Sequence, residues 1–129
     1  MLLDTHVLLW LLTDDPRLGA LTRRILATAA QVRASTASLW EIAIKVDTGK
    51  LTVPNDLPER VTSSGLAWLP VSPEHAWEVR RVTGLPHRDP FDRMLIAQAR
   101  CASLTVVTAD RVLLGAALSP PVRRVDAGL

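Results

Sequence analysis

A chain of 129 residues, 48% of them hydrophobic, has room for one domain with one sizeable core and is too apolar to be disordered. Its longest obvious apolar run, Val7 to Leu12, is too short to cross a membrane; an acid at Asp4 with no basic segment before it argues against a secretory leader, and the single cysteine, Cys101, leaves no disulfide framework. The expected compartment is therefore the cytoplasm, and the formal charge of +2 is carried mostly by arginine, whose planar guanidinium suits phosphate.

In chain order, Met1 to Asp4 reads as a short strand and Thr5 to Leu12 as an apolar helix that stops at Asp14-Asp15-Pro16, because proline disfavours helix in the residue before it. Leu18, Leu21, Ile25 and Leu26 recur at helical spacing, with Arg17, Arg23 and Arg24 outside. Gln31 to Ser35 is a second short strand. A helix from about Ala37 to Thr48 follows, with Thr36 and Ser38 as alternative caps and Gly49 closing it. Leu39, Ile42, Ala43 and Val46 form its expected inner face, widened by Trp40 and Ile44. Glu41 is thus an acid among large apolar residues. Its pairing with Lys45 four residues on is worth only a few tenths of a kcal/mol. That does not account for so apolar a setting.

Beyond the extended Leu51 to Pro54, Leu57 to Ser64 predicts a short helix, Leu66 to Val71 a third strand, and Pro73 to Arg81 another helix. The stretch His87 to Ala99 is the most informative. Pro90 suits a first helical position, Asp89 is the expected cap, and Asp92 falls at the third position. Leu95, Ile96 and Ala99 follow Asp92 at helical spacing. Asp92 therefore opens a buried face, where free N–H groups favour negative charge. Leu104 to Thr108 reads as a buried strand, with Asp110 just beyond it. Arg111 to Leu118 predicts a short helix, Pro120-Pro121 ends it, and Val122 to Val125 forms an edge strand. Strands alternating with helices imply an α/β domain with a mainly parallel sheet.

In such a sheet, ligands bind beyond the carboxyl ends of the strands. Asp4, Glu41 and Asp110 lie at or just after strand ends, and Asp92 can reach the same rim. Crowded carboxylates raise one another's pKa unless a cation joins them, and an all-oxygen set suits Mg²⁺ or Mn²⁺. No Cys/His spacing suggests zinc, and there is neither a Gly-rich phosphate loop nor a nucleophile elbow. His6, His75 and His87 form no cluster by spacing and read as surface or packing residues. Arg88 and Arg93, flanking Asp89 and Asp92, are candidate phosphate contacts. Trp10, Trp40, Trp68 and Trp77 suit a core or a subunit interface better than base stacking.

Four ordered blocks carry a resemblance: Leu2-Leu3-Asp4-Thr5-His6, Ser38-Leu39-Trp40-Glu41-Ile42-Ala43-Ile44-Lys45, His87 to Ala99, and Val107-Thr108-Ala109-Asp110. Together they resemble the PIN domain, and within it the VapC-type toxins of prokaryotic toxin–antitoxin pairs. The resemblance implies a single PIN domain over 1–129, with a three-layer α/β/α fold around a mainly parallel sheet. It implies a Mg²⁺- or Mn²⁺-dependent ribonuclease with a VapB-type antitoxin partner. By matching position it assigns Asp4, Glu41, Asp92 and Asp110 to the acidic site, with Asp4, Asp92 and Asp110 as metal ligands. Thr108 matches a position that hydrogen-bonds within the site, and Asp89 lies in a matched block although the cap reading explains it better. A homodimer is expected as well. The segment Gly115 to Leu129 departs from the pattern. Two other readings compete. One is a non-catalytic binding module, which the four matching acids oppose. The other is a haloacid-dehalogenase-type phosphotransferase, which needs a second aspartate where this chain has His6.

Overall fold

The computed structural model describes all 129 residues. Five strands, β1 (Leu2–Leu3), β2 (Arg33–Ser35), β3 (Ala67–Leu69), β4 (Val106–Thr108) and β5 (Arg124–Asp126), form one sheet in the order β3-β2-β1-β4-β5. Every pairing is parallel. Around it run α1 (Thr5–Thr13), α2 (Ala20–Thr28), α3 (Thr36–Asp47), α4 (Leu57–Ser63), α5 (Pro73–Glu78), which continues into a 3-10 turn at Val79–Arg81, α6 (Pro90–Ala102) and α7 (Arg111–Gly115).

Period-two alternation in the strands divides the interior in two. Leu3, Ala34 and Val107 point to one face, where Val7, Leu8, Leu26, Ile42 and Val61 of α1 to α4 cover them. Leu2 and Val106 point to the other, against Leu95, Ile96 and Ala99 of α6 and Leu113 of α7. A sheet buried on both faces reads as continuous apolar residues, as Leu2-Leu3 of β1 and Val106-Val107 of β4 do at its centre. The expected α/β/α layering and parallel sheet are what the structure has.

Register decides where the site lies. Leu3 is level with Ala34 on one side and with Val107 on the other. The next residues, Asp4, Ser35 and Thr108, therefore leave the sheet side by side at its carboxyl edge. Because α6 precedes β4 and runs back across the sheet, its first turn sits at this same edge.

Several boundaries differ from the sequence reading. The cap of α3 is neither Thr36 nor Ser38 but Ser35, whose Oγ accepts from the Ala37 N–H at 3.0 Å. Ser35 is still extended as it leaves β2, as a cap must be. Thr36 Oγ1 instead accepts from the Val71 N–H. Leu18 is buried but precedes α2, which begins only after Gly19, where the Gly128–Leu129 backbone packs. The helix after Asp110 stops at Gly115, well short of Leu118. On α3 only Ile42 of the expected inner face is fully covered; Ala43 and Val46 are exposed.

Gly84 is required both by its surroundings and by its backbone conformation. Gly84 has φ +97°, and a Cβ there would collide with the Ala117 carbonyl. We expect Gly84→Ala to destabilise the fold by about 2–4 kcal/mol, from left-handed strain plus the backbone clash. Urea unfolding checks this; a loss below 0.5 kcal/mol, roughly that of a neutral surface change, would contradict it.

Candidate active site

Asp4 leaves β1 in an extended conformation and caps α1. Its Oδ1 accepts from the Val7 N–H at 2.8 Å, and its Oδ2 accepts from the Thr108 hydroxyl. Thr108, fully buried at the end of β4, also accepts the Asp110 N–H at 3.0 Å through the same oxygen. A single hydroxyl thus ties the ends of β1 and β4 together. Asp110 caps α7, with Oδ1 accepting from Val112 and Leu113, which leaves Oδ2 without a protein partner.

Glu41 reaches the site from α3, at its sixth residue. Its Oε1 accepts from the Thr5 hydroxyl at 2.5 Å, and its Oε2 pairs with Lys45 Nζ at 3.1 Å. The expected ion pair is therefore real, but it is one half of a clamp that holds the carboxylate over the site. Asp92 reaches it from the first turn of α6. Asp89 caps that helix as expected, its Oδ1 accepting from the Phe91 and Asp92 N–H groups at 2.9 Å. Asp92 has no such bonds of its own. Its one close polar neighbour is His87, whose Nε2 lies 3.4 Å from Oδ2. His87, read from its spacing as a surface or packing residue, thus lies beside the Asp92 carboxylate.

Asp4, Glu41 and Asp92 line one small cavity of about 10 Å³ with Thr5, Ser35 and Ser38. Asp110 stands outside it, exposed at the rim. Burial raises the Asp4 carboxyl above its ordinary range, although its hydrogen bonds from Thr108 and Val7 work against this. Burial also pushes Asp92 up to about 6, helped by the charges of Asp89, Asp110 and Glu41 and opposed by His87. Burial at this edge therefore disfavours the charged form of both carboxyls.

The donors present fit a hard divalent cation. All are oxygens, and a cavity of this size has room for about one water-sized group. No three acidic, histidine or cysteine side chains come close enough together to hold a metal ion between them. Mg²⁺ does not need three, since it commonly takes one or two carboxylates and keeps several waters. Asp92 and the Oδ2 of Asp110 are the least engaged donors, and Asp4 has one remaining lone pair on each oxygen.

Two expectations at this edge need correction. Arg93 is not an open phosphate contact: it donates to the Val82 carbonyl at 3.2 Å and the Val79 carbonyl at 2.9 Å, pinning the 3-10 turn to α6. Arg88 remains exposed and free of carboxylates. Trp40 is no core residue; it is 63% exposed and meets Phe91 edge-on, with ring centroids 5.2 Å apart. Sequence reasoning missed Thr5, Ser35 and His87. Only Thr5 carried a signal, an unexplained hydroxyl directly beside the first acid.

The family model for the PIN domain matches residues 1–117. Among solved structures, a chain of the VapBC2 complex of Rickettsia felis bound to a promoter DNA fragment superposes with a TM-score of 0.68 at 14% identity, covering 97% of this chain and 96% of that one. A chain of DNA-bound VapBC from Salmonella typhimurium gives 0.67 at 22% identity, with the same coverage. A chain of FitAcB from Neisseria gonorrhoeae gives 0.64 at 20% identity, covering 98% and 96%. At these identities the likeness is one of fold. No curated protein matches the chain.

Proposed function

The chain belongs to the PIN-domain family, and on that premise we propose that it is a Mg²⁺- or Mn²⁺-dependent endoribonuclease, the toxin of a VapBC-type pair. The observation that carries this reading is the convergence of Asp4, Glu41 and Asp92 on one cavity. With Asp110 at its rim, burial there disfavours the charged form of Asp4 and Asp92.

Asp4 and Asp92 would hold the ion from the cavity, and Asp110 would hold it from the rim through its waters. When bound, it acidifies the attacking water and offsets charge on the phosphate in the transition state. The chain's own groups do the rest. Thr108 and the Val7 N–H fix the direction of Asp4. Thr5 and Lys45 occupy one side of each Glu41 oxygen. That leaves Glu41 to orient the attacking water from the cavity wall. Arg88 steers the RNA phosphate. Water adds to phosphorus and the bond to the 3′-oxygen breaks, leaving a 5′-phosphate and a 3′-hydroxyl.

Because water is the nucleophile, the RNA 2′-hydroxyl has no chemical role. An RNA with one 2′-deoxyribose at the cut position should still be cleaved, and EDTA should abolish cleavage. End analysis of the products checks both. A 2′,3′-cyclic phosphate, or full activity in EDTA, would refute the mechanism.

A VapB-type antitoxin and a homodimer belong to the same proposal. Trp40, Ile44, Val46 and Val71 are exposed. An apolar cleft of about 470 Å³ lined by Trp40, Phe91 and Met94 opens beside the acids. Exposed apolar surface of this kind marks an interface. A basic side chain from the antitoxin would block the acidic edge. A protein that is monomeric at micromolar concentration, and that no neighbouring small gene product inhibits, would remove this part.

A further inference from the structure

At the far end of α6, away from the acids, the surface changes sign. Two adjoining cavities of about 560 and 410 Å³ share Glu78, Arg81 and Arg100. Arg123 lines the first, and Trp77 and Arg80 line the second. Trp77 is 68% exposed, and the Arg80 guanidinium lies over its ring at 4.4 Å from the centroid. Burial does not explain so open an indole.

Four guanidiniums stand here against two carboxylates, Glu74 and Glu78. Glu78 is already paired with Arg81 at 3.1 Å. Arg80, Arg100 and Arg123 pair with no carboxylate. The nearest contact of Arg100 is a long one, 3.4 Å to the Arg81 carbonyl. The groove therefore offers free bidentate donors for phosphate and an exposed ring already stacked on one of them. Single-stranded nucleic acid is recognised by this combination: a basic track for the backbone and an aromatic face for a base. A duplex hides its bases, so it gains nothing from Trp77. Arg100 is eight residues beyond Asp92 on the same helix, about 12 Å along its axis. One strand can lie along α6 with its phosphates in this groove while another of its phosphates is at the acids.

We propose that the groove formed by Trp77, Arg80, Arg81, Arg100 and Arg123 is a second RNA contact, binding single-stranded RNA away from the cut site. The inference rests on the ribonuclease reading for the identity of the strand.

The test is fluorescence anisotropy with a labelled single-stranded RNA of about 16 nucleotides, in EDTA so that binding is read without cleavage. The double variant Arg100→Gln/Arg123→Gln should raise Kd about tenfold and lower the slope of log K against log salt by about 1.4, near 0.7 per lost contact on a single strand. Trp77→Ala should weaken binding at least about fivefold with no change in slope. Arg24→Gln, an exposed arginine on α2 over the opposite face of the sheet, should change neither quantity. Circular dichroism confirms that each variant folds. Wild-type Kd and slope in the double variant would overturn the inference, as would a duplex RNA bound more tightly than the single strand. The ribonuclease reading fails separately, if the wild-type protein binds RNA in this groove-dependent way yet cleaves none with Mg²⁺ or Mn²⁺.

Discussion

Asp4→Asn and Asp92→Asn should each lower RNA cleavage by at least about a hundredfold while leaving the fold intact, and Asp89→Asn should cost less than about threefold. The contrast comes from what each carboxylate does. Asp89 Oδ1 accepts from two N–H groups at the start of α6. Asparagine retains that oxygen and caps helices about as well. Asp92 caps nothing; it faces the cavity, and His87 is the one side chain that pairs with it. An amide there keeps the shape and removes the charge that would hold a cation. Asp4 has both functions, so its amide must still accept from Val7 and Thr108, and the amide nitrogen can accept from neither. Asp4→Asn should therefore also lower stability by about 1 kcal/mol, which Asp92→Asn should not. Steady-state cleavage of one RNA, with thermal melts of each variant, checks both halves. An Asp89→Asn protein as inactive as Asp92→Asn would show that the two acids share one role.

Removing the Asp92 charge should also stabilise the metal-free protein, and by an amount that depends on pH. In the fold its carboxyl is raised to about 6, against about 4 in an unfolded chain. The folded state therefore binds this proton more tightly. Stability from the proton is complete below about pH 4 and is lost as pH rises through 6. The full gap corresponds to just under about 3 kcal/mol. With 26% of the side chain open to water, screening reduces this to about 1–2 kcal/mol. Asp92→Asn behaves as the protonated form at every pH. Its Tm should match the wild type near pH 4 and exceed it by about 4–8 °C near pH 7. Millimolar Mg²⁺ at pH 7 should raise the wild-type Tm and close most of that gap, since a ligand of the native state stabilises it by mass action. Scanning calorimetry in EDTA and then in Mg²⁺ provides the measurement. A Tm difference that is the same at pH 4 and pH 7 would remove the electrostatic account of the site.

Much of this protein was legible as local pattern. A helix start is a short-range event, so Asp89, Pro90 and the apolar residues after them sufficed to place α6 and put Asp92 in its first turn. Strand-end acids followed from the alternation of strands and helices, because a parallel sheet places its loops on one edge. Four motif blocks in order were enough to indicate the family. What the sequence could not determine depends on which residues meet across the sheet. The Thr108 hydroxyl reaches Asp4 over a separation of 104 residues, and Thr5 reaches Glu41 over 36. No periodicity encodes such pairs; the register of β1 against β2 and β4 creates them. The cap of α3 moved to Ser35 because the end of β2 sets where the chain can turn. Arg93 was misjudged, and Trp40 was left open between core and interface, for one reason: a helical repeat says which residues share a face, and only packing decides whether that face meets backbone carbonyls, a core or open solvent.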